Sequence, residues 1–284
     1  MARLVLLLLL APALARACPT CAAGDPVLAM TGSEPLFAGR VRLGVDLRAS
    51  HSEGEGMRAD ELALRGSLTW APVDRLAVSV LAPVLLRDAT IGAVHGLVLG
   101  PGEVELASRL ELLRDRGVFP SHRFGVSAGI RLPTAIDQHD PQSVLLPATL
   151  QTGEGAVAPI LGLFSLHSLD PWTFFASWSV RLPFASRYSI LPGPSTSASF
   201  AAHLRAATWL TLRAAVEARF DAPLRQSDRW VAGSESVAAW LAPGLLVSPL
   251  SELVLALVVR IPVASTAPGA TEGPSATFSV MLDV

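Results

Sequence analysis

The stretch "LVLALVVRIPV", Leu253 to Val263, decides how this chain folds. It is almost wholly apolar, yet it closes on an Arg and a Pro. A helix needs about 20 apolar residues to cross a bilayer, and a barrel strand only about 9–11. The stretch is too short for a membrane helix and long enough for a barrel strand. Read with a period of two, Leu253, Leu255, Leu257, Val259 and Ile261 share one face. Arg260 falls on the other face, with Val254, Ala256 and Val258, which are unusually apolar for a wet lumen. The Arg-x-Pro close recurs at Arg131-Leu132-Pro133 and Arg181-Leu182-Pro183. A repeated punctuation mark suggests a repeated unit.

Other segments carry the same alternation. In "RVRLGVDLRA", Val41, Leu43, Val45 and Leu47 oppose Arg42, Asp46 and Arg48. In "ELALRGSLTW", Leu62, Leu64, Leu68 and Trp70 oppose Glu61, Arg65, Ser67 and Thr69. In "EVELASRLEL", Val104, Leu106, Leu110 and Leu112 oppose Glu103, Glu105, Arg109 and Glu111. "FGVSAGIRLP", "APILGLFSLHS" and "WTFFASWSVRLP" follow, then a long segment divided near Trp209, then one from about Trp230 to Leu246. The opening stretch and "SATFSVMLDV" end the series. The total is about twelve strands, an even number.

The connections alternate in length. The first, third, fifth, seventh, ninth and eleventh read as long, among them Asp88 to Gly102 and Thr134 to Gly155. Those between are mostly short, such as "PVDR", "LDP" and "VSPL", with Leu113 to Arg123 an exception. Bacterial barrels have short periplasmic turns and long outer loops. A soluble Greek-key sandwich also alternates along its strands, but has no reason for this loop rhythm.

The start of the chain agrees with export. Arg3, the apolar run Leu4 to Leu10 and Ala15-Arg16-Ala17 read as a signal peptide over residues 1–17. A lipidated Cys18 would need an aliphatic residue where Ala15 stands. A periplasmic tail, 18–37, then precedes a barrel over 38–284. Cys18 and Cys21 read as a local disulfide in an oxidising compartment. A redox-active or metal-touching tail is the alternative, and the tail itself is either a free leader or a plug. Ala22 stands where a haem-attachment motif needs His.

Hydrophobic residues make up 51% of the 284 residues, and mean hydropathy is +0.46. No segment after the signal reaches the roughly 18 apolar residues of a membrane helix. Net charge is −2 and the isoelectric point about 6.3, so nucleic acid is not an expected partner. Every basic residue is Arg. Outer-membrane lipid and small solutes are the expected partners. The oligomeric state is not legible.

The polar faces supply the candidate site. Arg131, Arg181 and Arg260 close outward-running strands with one parity, so they read as a ring of charge near the outer rim. The alternative is that each pairs with an acid such as Glu103 or Glu235. Arg65, Arg109, Glu105, Arg213 and Glu217 join them as candidates for the lumen wall. Trp70, Trp172 and Trp209 sit at short turns, where a barrel carries an aromatic girdle. Asp137, His139 and Asp140 are metal-capable types in the longest loop, but a solvated loop explains them. No spacing marks a nucleophile with its base, a metal centre or a cofactor, so no enzyme is expected.

The chain resembles a family of outer-membrane barrels related to the MetA phenol-degradation pathway, whose members are labelled transporters or porins. The resemblance lies in "GPGEVELASRLEL", in "GIRLPT" before a long loop, and in "LQTGEGAVAPILGLFSL". This chain departs from it in having Ala135 after Leu-Pro-Thr, Glu103 where Asp is common, and a final Val284. The resemblance implies a channel for passive passage of small solutes, hydrophobic ones included, and no catalytic residues. A non-conducting barrel that anchors or presents loops is the alternative.

Overall fold

Apolar side chains cover the outside of this protein, and charged ones lie within. The computed structural model describes residues 38–54, 57–91, 94–115, 120–139, 146, 150–186, 190–226, 229–231, 234–266 and 271–284. The expected leader and tail, with Cys18 and Cys21, lie outside the described residues.

Twelve antiparallel strands form the barrel wall. They are β1 (Val41–Gly54), β2 (Met57–Val73), β3 (Leu76–Ile91) and β4, which runs as Val94–Pro101 and then Val104–Arg114. Next come β5 (His122–Leu132), β6 (Ala156–Leu169), β7 (Trp172–Arg181), β8 (Ser195–Ala207) and β9 (Leu210–Asp221). The wall ends with β10, in two pieces (Ser236–Leu241 and Gly244–Leu250), β11 (Leu253–Ser265) and β12 (Thr271–Asp283). Each strand pairs with the next, and β1 pairs with β12 from Arg42 opposite Asp283 to Glu53 opposite Thr271. Closure gives each strand of the wall a neighbour on both sides, so backbone groups of the spanning region pair inside the wall.

The register aligns one apolar row around half the barrel. Leu245, Leu257, Phe278, Leu47, Leu64 and Val84 are successive cross-strand partners on β10, β11, β12, β1, β2 and β3. All six face outward and are exposed. On β1, Leu43 and Val45 are 45% and 49% exposed, while Arg42 and Asp46 are 5% and 4% exposed. An apolar patch this wide is unstable against water and suited to lipid. Trp70 and Trp172 face outward near the short-turn end. Trp172 stacks on Phe174, and Phe174 on Phe200, with centroids 6.2 Å apart in each pair.

Four sequence-based boundaries shift. The first and third outward connections are not long loops. β1, β2 and β3 run 14, 17 and 16 residues, beyond the roughly 9–11 needed to span. Their polar ends stand clear of the membrane, where both faces of a hairpin tolerate water. There His51 Nδ1 meets Asp60 at 2.7 Å and His95 Nε2 meets Asp88 at 2.8 Å. The tenth strand begins at Ser236 rather than near Trp230, because Arg229–Trp230 pairs with Arg225–Gln226 in a small separate sheet. Arg260 does not end its strand. β11 continues to Ser265, and Pro262 lies opposite Trp240 beside a register shift, where a missing amide hydrogen is tolerated.

Candidate functional site

The lumen is the site, and it changes along the barrel axis. At the short-turn end it is packed. Arg42 grips Asp283 with two bonds, Nε to Oδ1 at 2.6 Å and Nη2 to Oδ2 at 2.8 Å. Arg123 and Arg114 lie 3.4 and 3.8 Å from Glu111. The Arg109 guanidinium sits 3.9 Å over the Phe164 ring, a cation–π contact. Phe164, Leu166, Phe175, Ala201, Ala215, Ala242 and Val258 make one apolar cluster inside the barrel. Val254, Ala256 and Met281 belong to a second, with Leu246. Inward apolar side chains on β11 therefore fill this end rather than line water.

Higher up, the wall is charged, from the buried Arg213 to the partly exposed Arg131. Arg131 lies 3.3 Å from Glu105, and Arg181 lies 2.5 Å from Glu154. Glu217 serves two arginines, Arg260 at 2.7 Å and Arg213 at 3.4 Å. Arg213 also donates to the carbonyl of Ala242 at 2.8 Å. Arg219 pairs with Asp221 and Glu272. Trp240 is buried between the guanidinia of Arg260 and Arg219, 4.3 and 5.4 Å from its ring centre.

At the outer mouth, the segment after residue 149 folds inward. Leu150, Gln151 and Thr152 are almost fully buried. Leu150 packs on Ala59 and Ala89, the lumenal residues near the tips of β2 and β3. Arg87 donates to the Gln151 carbonyl at 2.8 Å and holds Glu61 at 2.5 Å. Glu103 accepts from the amide of Gly155 at 2.7 Å. The Gln151 side chain ties the loop to itself, through Gln138 and the carbonyl of Leu146.

Arg65, Arg109, Arg131, Arg181, Arg213, Arg260, Glu105 and Glu217 all carry lumenal parity. The partners of the three rim arginines are Glu105, Glu154 and Glu217, not Glu103 or Glu235. Arg87, Glu154, Trp240 and Asp283 also shape the lumen but escaped the sequence reading. Arg87 falls between a strand read to Leu86 and a loop read from Asp88, and Trp240 lies in an ill-bounded strand, so their parity could not be assigned. His139 Nδ1 meets the Asp137 carbonyl in its own loop at 3.2 Å, and Asp140 lies outside the described residues. Among the described residues, no three His, Cys, Asp or Glu side chains converge as a metal site would need.

An outer membrane channel of Pseudomonas putida F1 superposes on this chain with a TM-score of 0.71 at 13% identity, covering 92% of this chain and 100% of the other. The fold is that of an outer-membrane β-barrel. The β domain of the Bordetella autotransporter BrkA gives 0.56 at 9% identity, over 87% and 100% of the two chains. The translocator domain of the autotransporter NalP from Neisseria meningitidis gives 0.52 at 8% identity, over 87% and 89%. No family model and no curated protein matches the sequence. The likeness to these barrels is one of fold.

Proposed function

We propose that this barrel is a passive conduit for small solutes across the outer membrane. One observation carries the reading. Some lumenal charges stay partly exposed, as in the Arg131–Glu105 pair at 31% and 24%, while the residues beside them face lipid. Charges enclosed by a lipid belt are costly unless wetted or paired, and this wall supports both. Leu81, Leu85 and Ile160 share the lumenal face and are partly exposed, so solutes with an apolar portion suit the passage. The inward segment at Leu150–Thr152 narrows its mouth.

The packed short-turn end favours a second reading, a closed barrel that presents its loops. His203 and Phe175 are 0% and 1% exposed there. Planar bilayers separate the two. A conduit gives discrete conductance steps from protein whose unboiled form migrates apart on gels. Folded protein that gives no steps supports the closed barrel and overturns the conduit.

A further inference from the structure

Two lumenal arginines stand apart from the ion pairs of the wall. Arg48 on β1 and Arg65 on β2 have no carboxylate within pairing distance among the described residues. The Nε of Arg48 is buried without a hydrogen-bond partner. The two are diagonal neighbours, since Arg65 lies opposite Asp46, and Arg48 opposite Ala63. Such diagonal positions are about 7–8 Å apart, close enough for one small anion to touch both. Their charges repel each other, and Arg260 repels both.

The acids around them are taken. Glu61 is held by Arg87 at 2.5 Å, Glu272 by Arg219, and Glu217 by Arg260 at 2.7 Å. Asp46 alone remains near Arg65, so one carboxylate faces two guanidinia. Uncompensated positive charge inside a lipid-wrapped wall is costly and attracts an anion.

The surroundings restrict which anion. Pro83 is the cross-strand partner of Arg65, and Leu81 and Leu85 flank it as partners of Ser67 and Ala63. All three point into the lumen and are partly exposed. An inorganic anion would use only the guanidinia, and a neutral hydrophobe only the β3 strip. We infer that the mid-lumen binds small amphipathic carboxylates, the carboxylate between Arg48 and Arg65 and the apolar body on Leu81, Pro83 and Leu85. This deepens the conduit reading by naming a solute class. Binding requires access from the mouth, but not passage.

Titration calorimetry on the folded, detergent-solubilised barrel tests the site, with benzoate, acetate and benzyl alcohol as probes. Charge-assisted, bidentate bonds are the strong term, so benzoate should bind at least about tenfold tighter than benzyl alcohol. Leu81→Ser/Leu85→Ser should weaken benzoate and spare acetate. Arg48→Gln/Arg65→Gln should lose at least about tenfold in benzoate affinity and leave benzyl alcohol unchanged. Gel migration without boiling confirms that each variant is folded. Equal benzoate binding by wild type and the double Gln variant overturns the site, as does equal binding of benzoate and benzyl alcohol. Conductance measured alongside separates the two readings. A barrel that binds benzoate without conducting keeps the site and loses the conduit. A barrel that conducts and ignores benzoate keeps the conduit and loses the site.

Discussion

Arg87 joins the barrel wall to the inward segment, with Nη1 2.8 Å from the carbonyl oxygen of Gln151 and Nη2 2.5 Å from Glu61. Other holds come from the loop itself: Thr152 donates to the carbonyl of Pro101 at 2.8 Å, and Gly155 to Glu103. Arg87 differs in holding the loop and a second strand at once. Its removal frees the segment on the β3 side and leaves Glu61 without its cation. Arg87→Ala should raise single-channel conductance and open residues 134–155 to chymotrypsin. Unchanged conductance together with an unchanged cleavage pattern would show that the loop is held without Arg87.

The Phe164 ring lies across Gly125, its cross-strand partner. A methyl added at Gly125 would come 2.3 Å from the Leu110 carbonyl oxygen and 2.4 Å from the ring. The backbone oxygen has little room to give. The ring can move only by giving up its contact with the Arg109 guanidinium. Gly125→Val should therefore destabilise the barrel by about 1–3 kcal/mol, the usual cost of overpacking. The measurement is the shift in urea midpoint for protein refolded into lipid. A midpoint equal to that of the wild type would mean that Phe164 has a second position open to it.

Leu257 stands in the outward apolar row between Leu245 and Phe278. In water, an Arg there would be harmless on a surface. In lipid it costs about 2–4 kcal/mol at the bilayer midplane. Leu257→Arg should lower the yield of folded barrel in lipid vesicles, read as the heat-modifiable band. Folding that is as efficient as the wild type, without detergent or lipid, would place this face in water.

The parity of the outward row was legible because lipid demands an apolar residue at every second position. That rule holds only inside the membrane. Beyond it, "DATIGAVHGLVLGPG" reads as a loop from its glycines and charges, yet Asp88 pairs with Leu97 and Thr90 with His95 in a regular hairpin. The candidate residues of the wall were legible for the same reason as the strands: they alternate with the apolar face. Their partners were not. Glu154 meets Arg181 because a loop folds inward, and Asp283 meets Arg42 because the last strand closes on the first. Local spacing contains neither event. Arg48 and Arg65 were visible as inward arginines, but their lack of an ion-pair partner among the described residues depends on where every acid settles.

Asp115 opens the link between β4 and β5, outside the spanning segments. Its carboxylate accepts from the Ser121 hydroxyl at 2.5 Å and from the amides of Ser121 and His122 at 3.0 Å each. The Ser121 hydroxyl is the leading cause of a depressed pKa, lowered to about 2, against roughly 3.9 for a free side chain. A depressed carboxylate stabilises the turn above the unfolded value and ceases to do so as pH falls through about 2. A carboxyl-detected NMR titration should place the Asp115 midpoint well below that of a free Asp. Ser121→Ala should move it upward. A midpoint near 3.9 in both proteins would remove this clasp from the account.

The three rim arginines are each within reach of a carboxylate, so their removal changes more than a sum of positive charge. Arg131→Ala, Arg181→Ala and Arg260→Ala together release Glu105, Glu154 and part of Glu217, which keeps Arg213 at 3.4 Å. The lumen then gains negative field where it had paired groups. Rings of acidic side chains favour cations in pores. The reversal potential across a salt gradient should move toward cation preference in the triple variant. Screening acts over about 8 Å at physiological salt and about 30 Å at 0.01 M, so the shift should grow as salt is diluted. Single substitutions should rank by how completely each acid is freed. Arg131→Ala and Arg181→Ala should act more strongly than Arg260→Ala, because Arg213 still holds Glu217. A triple variant that conducts with unchanged selectivity at low salt would show that solutes pass away from these three pairs.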